Sequence, residues 1–472
     1  MTERATTGSE TTIKTPPTGL AILAMVGPAF IWAAEFIGSG EVILATRTGA
    51  ILGTGILWAI VVGIFLKYWI GMSGARYTVT TGEGMIDMIS RMPGPKNWAV
   101  WIVLVAQFAS ATISMGAIAA ASGIFLHSLI PIPAYLWSWI VALFALGVVW
   151  SGSFQPLKYV MSLFVLVIVI GVLFVAVSIS PGLTTILQGL QFHIPQVPDW
   201  AISSYGVSEN PWREILPLMG WAAGGFASQV WYTYWVLGAN YGAAQGRGYG
   251  RPADLAMLKQ LSAASAQKIK GWYRVVYTDA TLAMVIGVVV TSSFFLTGAY
   301  VLRPNQLAPT GEDVALSLAT IFTAQWGALG GGMFMISAAA ALVATLIGQL
   351  AGWPRLLSDA FRICVPQITR RFAWKVQFRV FLIFFLFTNM IIAFTLGLRP
   401  VYLVKMGAVL DGLLLTPLQA VWVAVGLYIV MPKLLSEEAK TILRPHWIFL
   451  AGLIVAFLVF GYFVVFQLPY IL

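Results

Sequence analysis

Apolar runs of about 18–30 residues recur from end to end of this 472-residue chain, and a run of roughly 20 residues is enough to cross a bilayer as an α-helix. That feature fixes the fold class as an all-α polytopic membrane protein. Composition agrees: 59% of residues are hydrophobic and 9% charged, whereas charged residues make up about a quarter of a soluble chain. No long polar segment separates two hydrophobic blocks, so a single transmembrane domain over 19–472 is expected.

Pro, Gly and charge divide the domain into eleven transmembrane helices, at about 19–51, 53–74, 99–127, 133–151, 157–180, 214–238, 272–301, 315–350, 373–396, 400–431 and 446–468. Lys and Arg gather in alternate loops, for example Arg91, Lys96, Arg247, Lys268, Arg355, Arg362, Arg370 and Lys440. The other loops hold few, among them Arg213, Arg303 and Arg399, beside Glu209, Glu312 and Asp313. Such asymmetry places the N-terminus in the cytosol and, with an odd number of spans, the C-terminus outside. The expected location is the cell's inner membrane. The net charge of +10 is therefore mostly topology, and nucleic acid is not an expected partner. The tail from Met1 to about Thr18 is polar and Thr-rich with no cleavable apolar region, and reads as a disordered cytosolic leader. Ala253 to Ile269 carries a helical pattern, with Leu255, Leu258 and Leu261 on one side, and reads as an interfacial helix. The lone cysteine, Cys364, falls in a basic loop and leaves no disulfide or thiolate metal site.

Within span one, Glu35-Phe36-Ile37-Gly38-Ser39-Gly40-Glu41 sets two carboxylates and a Gly-Ser-Gly hinge at membrane depth. A charge there costs roughly 2.5–3.5 kcal/mol on insertion scales and usually serves a pathway or a partner. Irregular backbone survives at this depth only inside protein or beside a water-filled cavity. Span six repeats the feature: Trp221 to Gln229 puts Gly224-Gly225 and the polar Ser228-Gln229 into an apolar helix. With repeats at about 19–180 and 214–431, and an extra helix at 446–468, the two breaks open equivalent helices. Paired Gly-interrupted helices point to a solute site at the repeat interface. Helix ends freed there offer carbonyls to cations, and Glu41, with Glu35 one turn before it, makes a positive solute the better fit. Bland readings stand beside these: glycines that only allow close packing, and Glu35 paired with Arg47 or another buried group. Asp279 and Asp411 are either pathway residues or hydrogen-bond partners of a broken helix.

His127, His193 and His446 fall at span ends or in loops, so no histidine relay crosses the membrane. No P-loop, Ser/His/Asp set or HExxH helix is present, and neither an enzyme nor an ATP-driven pump is expected. No cofactor is implied.

The order of motifs resembles the Nramp family of divalent-metal transporters, which share the LeuT-like 5+5 inverted-repeat fold with broken helices one and six. The resemblance rests on Gly27-Pro28-Ala29 leading to Gly38-Ser39-Gly40-Glu41, on Gly74-Ala75-Arg76-Tyr77 through Thr81-Gly82-Glu83, on Pro131-Ile132-Pro133, on Thr278-Asp279-Ala280 and on Ala344 to Gln349. It runs over nearly the whole chain and departs where the metal binds. The family's Asp-Pro-Gly-Asn falls on Gly38 to Glu41, its Met-Pro-His on Phe226-Ala227-Ser228, and its helix-three acidic pair on Ser114 and Ala117.

The resemblance implies a secondary transporter with a metal site at Gly38, Ser39, Glu41, Phe226, Ala227, Ser228 and Gln229, with Glu35, Asp279 and Asp411 as coupling residues. Without a thioether the donors are oxygens, which suit Mg²⁺ or Mn²⁺ over softer ions. The expected partners are a small inorganic cation and the lipid bilayer. The alternative is a cation-coupled carrier of a small organic, cationic solute held against Phe226 or Trp231. A membrane scaffold that had lost its site would have no reason to keep costly acids around the first break.

Overall fold

The computed structural model describes residues 13–179, 181–308, 314–396 and 400–470. Residues 1–12 of the tail lie outside this set, as do Glu312, Asp313 and Arg399 of the expected outer loops. Among the described residues every regular element is helical and none is a strand. Eight continuous stretches are long and apolar enough to cross a membrane, one of them joining the second half of span one to span two. Span four, Ala134–Val149, is shorter, and span six is divided in two. The protein is an integral membrane protein.

Span one is built from Pro28–Phe36, a π-helical turn Gly40–Ala45 and Thr46–Leu52. Span six consists of Trp212–Trp221 and Phe226–Gly238. Both are buried along nearly their whole length, as is span eight beyond Gly327. Spans two (Leu57–Thr81), three (Trp98–Leu129) and seven (Ala263–Thr297) pack around them. Span five (Phe154–Ile179) turns Leu163, Leu166, Ile170, Leu173 and Val177 outward, and span eleven (Trp447–Tyr462) does the same with Ile454, Val455 and Leu458. Apolar side chains facing outward belong on lipid. Span ten is also interrupted, between Pro400–Gly412 and Thr416–Val425.

Two stretches differ from the sequence reading. The helix expected over 253–269 is split, because Asp254 caps Leu255–Lys259 and Ser262 caps a second helix that runs straight on as span seven. A side-chain oxygen at an N-cap accepts an otherwise free N–H and starts a helix at that point. Span eight, expected to end near 350, continues to Cys364 through Pro354. Arg355 is thereby buried rather than in a loop; its guanidinium lies over the rings of Tyr249 and Phe378, at 4.7 and 4.9 Å. Three aromatic side chains, with that of Trp235 at 5.5 Å, hold a charge that the sequence assigned to water. Residues 13–18 lead into span one, with Ile13 buried and the Lys14 carbonyl accepting from Trp272.

Backbone-to-backbone approach fixes the crossing of spans one and seven. A Cβ on Gly49 would fall on the Phe295 carbonyl oxygen, and one on Gly298 on the carbonyl oxygen of Thr46. Neither neighbour is a side chain that can swing aside. Gly49→Leu or Gly298→Leu should therefore lower the melting temperature of detergent-purified protein by several degrees, the result of an overpacking cost of about 1–3 kcal/mol or more. Gly461→Ala, where a Cβ meets nothing within 4 Å, should melt like the parent.

Candidate functional site

The first half of span one stops at Ile37, whose backbone turns extended, and the chain resumes helical form at Gly40. Two polar groups left free by this break find side-chain partners. Ile37 O accepts from the Thr345 hydroxyl of span eight at 3.1 Å, and Gly38 N donates to Glu41 Oε2 at 2.8 Å. The second contact is a carboxylate reaching back over the start of its own half-helix, the geometry of a capping box, and it sets negative charge against the positive end of the helix dipole. Glu41 Oε1 accepts from Thr291 of span seven at 3.3 Å. Glu41 is thus fully buried and directed at the break and span seven.

The second break is sharper. Ala223 and Gly224 are consecutive left-handed residues, with φ of 60° and 69°, a conformation glycine adopts freely and alanine only under constraint. The constraint comes from the surrounding bonds. Gln229 Nε2 donates to Ala223 O at 2.8 Å, and Asp411 of span ten accepts from Ala227 N at 3.2 Å and from Gln107 at 2.8 Å. Gln419 donates to Phe226 O at 3.0 Å. Most unusual is Lys67 of span two, fully buried, whose Nζ donates to Met219 O, Gly220 O and Gly224 O at 3.0, 2.5 and 2.6 Å.

The breaks meet. A Cβ added at Gly40 would lie 2.6 Å from Cβ of Trp221, and one at Gly224 would lie 3.2 Å from Cβ of Phe36. Between them is a small buried cavity with room for about one water, lined by Glu35, Phe36, Ser39, Gly40, Ile118, Trp221, Gly224, Thr345 and Gln349. The Glu35 carboxylate accepts from Ser228 Oγ at 2.7 Å, and that hydroxyl oxygen accepts from Trp32 Nε1 at 3.0 Å. Gln349 is buried, and its Oε1 has no hydrogen-bond partner.

The sequence-predicted residues do not all come together. Glu35, Ser39 and, through Glu35, Ser228 are gathered at the cavity; Gly38 lies beside it against Thr345. Glu41, Ala227, Gln229 and Asp411 stitch the breaks, while Phe226 packs edge-on to Trp422. Asp279 stands apart, holding the Gly27 N–H at 3.1 Å and the Tyr232 hydroxyl at 2.8 Å. Among the described residues no three His, Cys, Asp or Glu side chains come together as a metal-binding group. Lys67 and Gln349 escaped the sequence reading. A lysine in the middle of span two was a visible signal; an amide near the end of span eight gave none.

Ion pairs close the molecule on both sides of the cavity. On one, Glu214 pairs with Arg47 at 3.4 Å and Lys405 at 2.7 Å, joining spans one, six and ten. On the other, Glu83 takes Arg91 at 2.8 Å and the backbone of Ala253, while Arg362 bridges Asp87 at 2.6 Å and Asp359 at 3.4 Å. Burial pushes the Asp87 carboxyl up to about 7, against the downward pull of Arg362. Tyr234 and Trp374 donate to Asp359, so span six, span eight and span nine (Trp374–Leu396) share this cluster.

Residues 29–207 match the family model Nramp, described as natural resistance-associated macrophage protein-like. A stretch of 93 residues, 19% of this chain, is 34% identical to the divalent metal cation transporter MntH of Yersinia enterocolitica and spans 23% of that protein's length. MntH of Pectobacterium carotovorum is 32% identical over 81 residues, 20% of its length. Among solved structures, a mutant of the Eremococcus coleocola manganese transporter superposes with a TM-score of 0.65 at 14% identity, covering 95% of this chain and 88% of that one. Mhp1, a nucleobase-cation-symport-1 family transporter, follows at a TM-score of 0.53 and 14% identity, covering 92% of this chain and 91% of Mhp1. The overall arrangement of spans, with broken helices one and six, is shared with these folds.

Removing one carboxylate undoes both ion pairs on the Glu214 side, and breaking a buried pair costs about 3–5 kcal/mol. In a Cys364→Ser background carrying Ser39→Cys, the cavity thiol should react slowly with a membrane-impermeant maleimide. Adding Glu214→Ala should speed labelling several-fold from one face of the membrane only.

Proposed function

We propose that the chain is an Nramp-like secondary transporter carrying a divalent metal cation across the membrane by alternating access, a reading supported by the match of residues 29–207 to the Nramp family model. The observation that carries the reading is the meeting of the Glu35 carboxylate and the Gln349 side chain at one small buried cavity between the two breaks. Ser39 lines the same cavity. A carboxylate, an amide oxygen and a hydroxyl are hard donors, and with no thioether among the lining residues they favour Mg²⁺ or Mn²⁺ over softer transition metals. Mg²⁺ keeps several waters and needs few protein ligands, so a sparse site suits it better than a cage would. A hydrated ion is larger than this cavity, and transport then requires one of the two ion-pair clusters to open before the ion enters. In this reading Glu41 holds the first break in shape as span one moves.

One observation favours a second reading. With no three-ligand acidic or histidine cluster among the described residues, the aromatic walls Phe36 and Trp221 would suit a small organic cation on the same scaffold. Reconstituted liposomes separate the two. On the first reading Mn²⁺ or Mg²⁺ uptake falls to background in Glu35→Gln and at least tenfold in Gln349→Ala, while both variants stay monodisperse. Metal uptake that survives both substitutions rejects the site. Thermal stabilisation by methylated amines and by no divalent metal would move the assignment to the organic cation.

A further inference from the structure

Lys67 has no role in the cavity, yet it is placed as a ligand would be. A broken helix presents its last carbonyls at the negative end of the helix dipole, where cations bind. In span six those carbonyls are Met219 O and Gly220 O, and the left-handed turn folds Gly224 O back toward the same point. All three converge on one nitrogen, and an ammonium has three N–H donors. The face of the Phe460 ring stands 5.6 Å from Nζ, a fourth contact that favours positive charge. The arrangement is a small cation site of carbonyl oxygens, and the cation is covalently attached to span two.

We propose that Lys67 is a resident cation, occupying at the second break the position that a small monovalent ion would otherwise need to fill. The transport cycle then takes up no sodium- or potassium-like ion at this point, whatever the cargo in the cavity. The span-six halves remain bent because the chain supplies the charge itself. Removing the ammonium while keeping the chain length should leave a vacancy selective for ions of its size. Arginine should not substitute, because a planar guanidinium cannot direct three donors at one pyramid of carbonyls.

The test uses purified full-length protein, so it stands whether or not the cargo is a metal. Melting temperatures are compared in sodium, potassium, ammonium and methylammonium chloride, with N-methyl-D-glucamine chloride as the ionic-strength control. The wild type should melt alike in all five. Lys67→Met should melt several degrees lower in the control salt and regain most of the loss, saturably, in ammonium or potassium; Lys67→Arg should not recover. If Lys67→Met folds only when ammonium is present throughout purification, the proposal is supported equally. Saturable stabilisation of the wild type by any of the small cations would overturn it. So would a Lys67→Met protein that melts like the parent, or one that stays destabilised or misfolded in every salt.

Discussion

A peptide N–H or C=O released from a helix inside a bilayer has no water to turn to, and leaving it bare costs several kcal/mol. Everything at the centre of this molecule answers to that constraint. Span one frees Ile37 O and Gly38 N; span six frees Met219, Gly220, Ala223 and Gly224 carbonyls and the Ala227 N–H. Side chains from other positions take each of them: Thr345, Glu41, Lys67, Gln229 and Asp411. The buried polar residues are first of all the hydrogen-bonding complement of two interrupted helices.

That arrangement also sets how the molecule can move. A half-helix can swing about its break only if the bonds at the break are kept or exchanged, and the stitching side chains come from spans two, seven, eight and ten. Spans that hold a break therefore move with it or let go of it. The ion-pair clusters lie outside these stitches, one joining spans one, six and ten and the other spans six, eight and nine. Opening one cluster while the other stays closed leaves the central bonds intact. This division between permanent stitches and exchangeable seals would suit the alternating access proposed above.

Much of this was legible in the residues. Gly38-Ser39-Gly40 and Gly224-Gly225 announced the breaks, and the apolar runs announced the spans, because both signals are local. Glu41 and Asp411 were identified as important, but their orientation was not. Whether a carboxylate faces a cavity or folds back on Gly38 depends on the backbone angles of the break, which composition does not encode. The partner of Lys67 lies 152 residues away in sequence at Met219, so no window along the chain could join them. Span eight misled for a similar reason. Arg355 and Arg362 read as loop charges until Tyr249, Phe378 and Asp359 were seen to receive them.

Charge at the centre makes the last step. Glu35, Glu41 and Asp411 surround the breaks, and Lys67 is a basic side chain set among them. Lys67 spends its three N–H groups on carbonyl oxygens and none on a carboxylate. It therefore neutralises the field of the acids only at a distance, and Gln349 adds an acceptor with no donor opposite it. On the proposed reading, a cation entering the cavity would gain the Glu35 and Ser39 oxygens that line it.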